Sequence, residues 1–167
     1  QEANRKLRLS ARETMRCAQG LYERGFITYM RTDSVHLSEQ AIKAARDCVQ
    51  LNYGENYLSD KPRQFSSKAI NAQEAHEAIR PTKININTLN VAGKITAREV
   101  KLYNLIWRNT VESCMSPAKY YSITSKITAP ENHLYKYSSE QVIFPGWKIV
   151  GGYDENNKEY TYLLSIK

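Results

Sequence analysis

Three segments in the first part of the chain repeat apolar residues at helical spacing. The first follows Ser10 and Glu13, which have the spacing of a capping box, and it ends before Gly25. The second starts after Ser38, and the third after Thr96. The faces that define these predicted helices contain Met15, Ala18, Leu21 and Tyr22; Ala41, Ile42, Ala45, Cys48, Val49 and Tyr53; and Val100, Tyr103, Ile106, Trp107, Thr110, Val111 and Cys114.

Two shorter segments lie between these helices. Phe26–Met30 is rich in β-forming residues and is short enough for a strand. Asn71–Glu74 has the pattern of a helix start and predicts a short helix through His76 and Ile79. Pro81 bars its continuation, because the residue before a proline avoids helical angles.

After Pro117 the pattern changes from helices to strands. The predicted strands are Tyr120–Thr128, Leu134–Tyr137, Gln141–Val150 and Glu159–Ile166, with a hairpin turn at Tyr153–Lys158. We therefore predict an α+β chain with a mostly helical domain over 1–116 and a strand-rich domain over 117–167. Four strands without a partner layer bury little surface, so the second domain is expected to be part of a larger antiparallel β-domain.

Composition is that of a globular protein, with 41% hydrophobic and 25% charged residues among 167. No apolar run reaches the length of a membrane span, and nothing at the start resembles a signal peptide. The chain opens on Gln1 without an initiator methionine, so we expect it to be part of a longer protein. The net charge of +7 is compatible with a nucleic-acid partner but does not establish one.

The three cysteines are Cys17, Cys48 and Cys114, which are far apart and form no C-x-x-C pair. This spacing argues against a zinc site and against a disulfide framework. Their apolar neighbours favour buried, reduced thiols and a cytoplasmic location.

Tyr29, Arg31 and Asp33 are the first candidates for chemistry. In an extended segment their side chains lie on one side, because strand side chains alternate. A phenol has a pKa of about 10 and becomes a useful nucleophile when a cation stabilises its phenolate. The same cation can stabilise charge on phosphate oxygens. Spacing alone favours an ordinary edge-strand tyrosine beside a surface arginine, because such alternation is common in strands.

Basic residues supply the second set of candidates. His76 and Arg80 are one turn apart on the predicted helix and could hold a phosphate, although a surface pair has the same spacing. The segment fails the H-E-x-x-H pattern of zinc proteases, because Arg80 stands at the second histidine position. Arg12 and Arg16 belong to a basic cluster with Arg5, Lys6 and Arg8, which is either a solvated face or a track for phosphates.

Five segments together resemble the bacterial (type IA) DNA topoisomerase I family, in the family's order. They are Gly25–Ser34 (GFITYMRTDS), Asn71–Thr82 (NAQEAHEAIRPT), Leu102–Arg108, Ser116–Tyr120 and Phe144–Trp147. The resemblance implies that Tyr29 attacks single-stranded DNA and becomes joined to a 5′-phosphate. Arg31 would bind the scissile phosphate, and Asp33 would orient Arg31 or the loop. His76 and Arg80 would bind or position DNA.

The same resemblance implies a winged-helix (catabolite-activator-like) fold for the helical domain and part of the arch-forming β-domain for the rest. It also implies Mg²⁺ on an acidic cluster of a separate N-terminal domain, and a DNA-binding fourth domain; neither is recognisable in this sequence. We therefore expect the chain alone to be unable to cleave. A non-catalytic winged-helix DNA-binding module, with Arg12, Arg16, Arg31 and Arg80 as phosphate contacts, is the competing hypothesis. Reverse gyrase and topoisomerase III are related alternatives that fit the motifs less well.

Overall fold

The protein is described by a computed structural model that covers residues 1–63, 77–90 and 95–166. The chain divides into two compact units, Gln1–Met115 and Ser116–Lys167. The helices of the first unit are α1 (Glu2–Leu7), α2 (Ala11–Glu23), α3 (Glu39–Tyr53) and α4 (Ala97–Ser113), with a 3₁₀ turn at Glu55–Tyr57. The second unit contains β1 (Lys119–Thr128), β2 (Leu134–Phe144) and α5 (Lys158–Ser165), with 3₁₀ turns at Pro130–Asn132 and Gly146–Val150. The predicted α+β class is confirmed.

Helix α2 begins and ends at the predicted residues. The Ser10 hydroxyl accepts a hydrogen bond from the Glu13 N–H at 3.2 Å, and the Glu13 carboxylate accepts one from the Ser10 N–H at 3.0 Å. At the other end Gly25 adopts a φ of 73°, which is accessible to glycine at little cost. The N–H groups of Gly25 and Phe26 then bond the carbonyls of Tyr22 and Leu21 in a Schellman motif. This motif leads the chain directly into the segment that carries Tyr29.

Helices α3 and α4 also start at their predicted caps. The Ser38 hydroxyl accepts from the Ala41 N–H, while Thr96 and Glu99 form a second complete capping box. Each cap satisfies N–H groups that the helix itself leaves without a partner. Both helix predictions are confirmed.

The core of the first unit lies between α2 and α4. Leu21, Ile27 and Tyr103 are almost completely inaccessible to solvent, and the Tyr103 hydroxyl donates to the Ile86 carbonyl at 2.7 Å. Cys17, Cys48 and Cys114 are buried free thiols, as predicted, and burial raises the pKa of each. Among the described residues, no helix is both long and apolar enough to cross a membrane.

The predicted strand at Phe26–Met30 is wrong. Only one isolated antiparallel bridge forms there, between Ile27 and Pro81. Two backbone bonds flank the bridge, from Thr28 N–H to the Arg80 carbonyl and from Thr82 N–H to the Phe26 carbonyl. The pairing goes no further because the two N–H groups that would extend it are bonded elsewhere: the Arg80 N–H to the Thr28 hydroxyl, and the Phe26 N–H to the Leu21 carbonyl. A β-forming composition without a regular partner yields no strand.

The helix predicted from Asn71 to Ile79 lies mostly outside the described residues, which resume at Glu77. Residues 77–80 are not helical. The prediction that a helix continues through Ile79 is therefore wrong, and the predicted pairing of His76 with Arg80 lies outside the described residues.

The second unit is built on a two-stranded antiparallel sheet. β1 pairs with β2 from Tyr120 opposite Val142 to Thr128 opposite Leu134. The predicted strand at Tyr120–Thr128 is confirmed, whereas the two strands predicted at 134–137 and 141–150 are one strand that ends at Phe144.

The prediction of a fourth strand at Glu159–Ile166 is wrong, because this segment forms α5. The Asn157 side chain accepts hydrogen bonds from the N–H groups of Glu159 and Tyr160, and so caps this helix. The hairpin turn predicted at 153–158 is therefore also wrong, because these residues lead into α5 and do not connect two strands. Tyrosine, threonine and isoleucine favour strands only weakly, and here the cap determines the outcome.

Candidate active site

Tyr29 lies in an open cavity on the first unit. Its side chain is 42% exposed, and its ring meets the Tyr22 ring edge-on with centroids 5.1 Å apart. The cavity has a volume of about 420 Å³, and its lining consists of Met15, Arg16, Gln19, Tyr29 and Arg31. The structure thus brings together Tyr29, Arg31 and Arg16, three of the residues selected from the sequence.

One face of α2 forms a wall of this cavity. Met15 and Tyr22 were expected in the buried stripe of α2, but they are 41% and 39% exposed. The helix packs instead through Cys17, Ala18 and Leu21, which are its buried residues. Because residues seven apart, two helical turns, share a helical face, Met15 and Tyr22 lie on one side of α2, the side of Tyr29. The apolar residues of α2 therefore form two faces, one that packs into the core and one on the side of the cavity.

The cavity is positively charged. Arg16 and Arg31 line it, and both are exposed. Arg12 is one helical turn before Arg16 and is also exposed, but it does not line the cavity. Guanidinium groups bind phosphate oxygens through paired N–H donors, so two of them beside a phenol suit a phosphodiester.

Thr28 fixes the backbone directly before Tyr29. Its hydroxyl donates to the Ala78 carbonyl at 2.8 Å and accepts from the Arg80 N–H at 2.9 Å. The Thr82 hydroxyl donates to the Gly25 carbonyl at 2.6 Å on the other side of the bridge. The segment Glu77–Thr82, hereafter the anchor segment, therefore holds the base of the tyrosine loop in place.

Glu77 joins the anchor segment to the chain beyond Tyr29. Its carboxylate accepts two hydrogen bonds from the Arg80 guanidinium, at 2.7 and 3.1 Å, and one from the Ser38 N–H at 2.9 Å. Burial opposes ionisation, but the hydrogen bonds from Arg80 and Ser38 outweigh it and hold the pKa of Glu77 below its usual value. Arg80 also donates to the Pro81 carbonyl. Its guanidinium thus makes intramolecular bonds, whereas the sequence analysis assigned it to DNA.

The loop after Tyr29 turns through two short side-chain contacts. Thr32 accepts from the Ser34 N–H, and Ser34 accepts from the His36 N–H. Asp33 is exposed, and no hydrogen bond or ion pair joins it to Arg31 in the described structure. The orienting role expected of Asp33 is therefore not visible as a direct contact. His76 lies outside the described residues.

Thr28, Glu77 and Gln19 were not among the residues predicted from the sequence. Thr28 and Glu77 act through contacts to residues far away in the chain, so no local pattern identifies them. Gln19 follows Met15 and Arg16 on the same helical face, and this spacing was the one available signal. Within 1–63, 77–90 and 95–166, no three histidine, cysteine or acidic side chains form a group able to hold a metal.

Comparison with known proteins shows the family of this chain. A sequence model of the DNA topoisomerase family matches residues 1–167. The chain belongs to the DNA topoisomerase family. It is 56% identical over 147 residues to DNA topoisomerase 1 of Synechococcus elongatus and 49% identical over 151 residues to that of Mycobacterium leprae. Each alignment covers 88% of the chain and 16% of the relative, so the chain spans about one sixth of their length.

A solved structure of a relative in the topoisomerase family has the same fold. The full-length topoisomerase I of Thermotoga maritima superposes with a TM-score of 0.73 and 32% sequence identity. The match covers 93% of this chain and 26% of that protein. The resemblance noted in the sequence is thus confirmed at the level of the family.

Proposed function

We propose that this chain carries the DNA-cleaving tyrosine of a type IA topoisomerase, and that this residue is Tyr29. One observation carries the proposal: an exposed tyrosine shares its cavity with two arginines, Arg16 and Arg31. In the parent enzyme, cleavage of one strand, passage of another through the gap and religation would relax negative supercoils.

In the proposed reaction, the Tyr29 oxygen replaces the 3′-oxygen on one phosphate of the DNA strand. The Tyr29 phenolic oxygen attacks phosphorus, the bond from phosphorus to the 3′-oxygen breaks, and the strand is left with a 5′-phosphotyrosine and a free 3′-hydroxyl. The phenol loses its proton, and the 3′-oxygen gains one. Arg31 is assigned to the scissile phosphate, because a cation there stabilises both the phenolate and the charge that develops on the phosphate oxygens. Religation is the reverse reaction.

The chain by itself is proposed to be inactive. The cavity lining of Met15, Arg16, Gln19, Tyr29 and Arg31 contains no side chain suited to protonating a leaving 3′-oxygen, since arginine keeps its protons. The resemblance assigns Mg²⁺ to another domain of the parent. The described residues of this chain do not form such a metal site, so we assign no step of the reaction to a metal here.

The remaining assignments rest on the family. We propose that the first unit has a winged-helix arrangement and that the second contributes to the arch-forming β-domain. Single-stranded DNA is the proposed partner, together with the parent's metal-binding and fourth domains, and the proposed location is the cytoplasm. Arg12, Asp33 and His76 are kept as proposed DNA contacts. Arg80 is proposed to act on DNA through the anchor segment, because Glu77 holds its guanidinium.

A chimera tests the proposal. The matching segment of the Synechococcus elongatus enzyme is replaced by this chain, and the product is incubated with end-labelled single-stranded DNA and Mg²⁺. We expect a covalent protein–DNA adduct on a denaturing gel, and relaxation of a negatively supercoiled plasmid. Tyr29→Phe should abolish both. Tyr22→Phe is the matched control, since Tyr22 packs against Tyr29 without the proposed chemistry.

Two results would contradict the proposal. An adduct that persists in Tyr29→Phe would place the nucleophile elsewhere. A folded chimera that binds single-stranded DNA but forms no adduct would favour the non-catalytic binding module. The inactivity of the chain alone is tested separately: an adduct formed by the isolated chain and lost in Tyr29→Phe would disprove it.

A further inference from the structure

A second cavity lies on the first unit and has no residue in common with the Tyr29 cavity. It has a volume of about 150 Å³, and its lining consists of Leu7, Arg8, Leu9, Glu13, Arg98 and Lys101. It is thus formed where the end of α1, the start of α2 and the start of α4 meet. A cavity of this kind has no role in the proposed cleavage step.

The charges around this cavity favour an anion. Three cations, Arg8, Arg98 and Lys101, face a single carboxylate, Glu13. That carboxylate already accepts hydrogen bonds from the Ser10 N–H and from Arg98, the latter at 2.7 Å. Arg8 and Lys101 have no ion pair or hydrogen bond from their side chains to any described residue. Two cations therefore remain available to a ligand.

The backbone at Arg8 adds an independent observation. Arg8 is the C-terminal cap of α1 and adopts φ 56° and ψ 32°, in the left-handed region that favours glycine. The turn is held by the bonds from Arg8 N–H to the Asn4 carbonyl and from the Asn4 amide to the Leu9 carbonyl. An arginine occupies a position where glycine would be less strained, so its side chain is the feature that the site uses.

We propose that this cavity binds a backbone phosphate of single-stranded DNA through Arg8 and Lys101. The inference rests on the proposed function, which supplies DNA as the partner. Glu13 in this cavity and Arg16 in the Tyr29 cavity are three residues apart on α2, about 4.5 Å along its axis. The bound phosphate therefore belongs to a nucleotide near the scissile one, and the contact fixes the register of the strand.

Binding of a labelled single-stranded oligonucleotide to the full chain tests this proposal over a range of salt concentrations. Arg8→Gly and Lys101→Ala should each weaken binding about fivefold at about 0.1 M salt and lower the slope of log K against log salt by about 0.7, because each loses one phosphate contact. Lys43→Ala is the control: it removes the same charge from an exposed residue of α3 that does not line the cavity. Arg8→Gly should fold at least as well as the parent chain, since glycine suits the left-handed cap.

Three outcomes would overturn the inference. In the first, Lys43→Ala weakens binding as much as Arg8→Gly, so the effect is one of net charge. In the second, the variants leave DNA binding unchanged while inorganic phosphate still shifts the Arg8 amide resonance in NMR spectra, so the cavity takes free phosphate only. In the third, Arg31→Ala weakens binding but Arg8→Gly and Lys101→Ala do not, which removes this cavity and leaves the proposed function intact. If neither the parent chain nor any variant binds DNA, both this inference and the proposal of DNA as a partner of the chain would be refuted.

Discussion

Replacing Thr28 by valine removes one hydroxyl group that serves two backbone groups of the anchor segment. The hydroxyl donates to the Ala78 carbonyl at 2.8 Å and accepts from the Arg80 N–H at 2.9 Å. Valine has nearly the same shape, so the change isolates these two hydrogen bonds from packing. A net hydrogen bond contributes about 1 kcal/mol, and both partners are partly buried, so we expect a loss of roughly 2 kcal/mol in the free energy of unfolding.

Urea unfolding followed by Trp107 fluorescence measures this loss in the first unit. A Trp147→Phe background removes the signal of the second unit, so the midpoint reports the unit that contains Thr28. Thr28→Ser is the matched control, because it keeps the hydroxyl and loses only a methyl group. In the chimera with the Synechococcus elongatus enzyme, Thr28→Val should also slow cleavage, since the residue before Tyr29 loses its support.

Two results would refute this reasoning. The first is a free energy of unfolding for Thr28→Val that differs from that of the parent chain by less than about 0.5 kcal/mol. The hydroxyl would then contribute no more than an ordinary surface substitution changes. Destabilisation by Thr28→Ser as large as that by Thr28→Val would show that keeping the hydroxyl preserves no stability, so the loss could not be assigned to its two hydrogen bonds and the anchoring role would be refuted.

Two further predictions concern the core beneath the site. Burial raises the pKa of Tyr103 to about 12, so the folded state keeps a proton that the unfolded state releases above pH 10; stability should be full below pH 10 and should fall by about 2 to 3 kcal/mol as the pH rises to 12. Tyr103→Phe should lack this fall in denaturant titrations at high pH, and an equal fall in both proteins would contradict the assignment. Gly20→Ala places a methyl group 2.5 Å from a carboxylate oxygen of Glu99, which is paired with Arg24. Both close atoms are the ends of flexible side chains that can shift, so the helix propensity gained, about 1 kcal/mol, should leave the variant at least as stable as the parent in thermal unfolding, and a clear net loss would disprove this.

Helix starts were predictable because their signals are local. Ser10, Ser38 and Thr96 each cap a helix within three residues, so the sequence window contains both partners of the interaction. The prediction of a strand at Phe26–Met30 failed because a strand also needs a partner with a continuous ladder. Here the Arg80 N–H bonds the Thr28 hydroxyl and the Phe26 N–H bonds the Leu21 carbonyl, so only one bridge forms. The prediction for the segment after Asn157 failed for the opposite reason. Its β-forming composition was given more weight than the Asn157 cap, although that cap is a local signal in the sequence.

The candidate site was predictable in part. Tyr29 and Arg31 were found from a motif, and Arg16 from its place in a basic cluster, and all three line one cavity. The contacts of Thr28 and Glu77 join residues about forty to fifty positions apart, which neither periodicity nor spacing can reveal. The same holds for the second cavity, where Arg8 and Lys101 meet from opposite ends of the first unit's sequence.

The hydrogen bonds between Thr28 and the anchor segment make the position of Tyr29 independent of the length of the chain between them. The hydrogen bond between Thr28 and Ala78 spans 50 residues, and α3 lies within that span. The entropy of closing such a loop grows only slowly, by about 0.6 kcal/mol for each doubling of its length. Insertions or deletions of a few residues in an exposed part of this span would therefore leave the position of Tyr29 almost unaffected. A variant with a longer or shorter span there should therefore hold Tyr29 in the same position relative to the anchor segment.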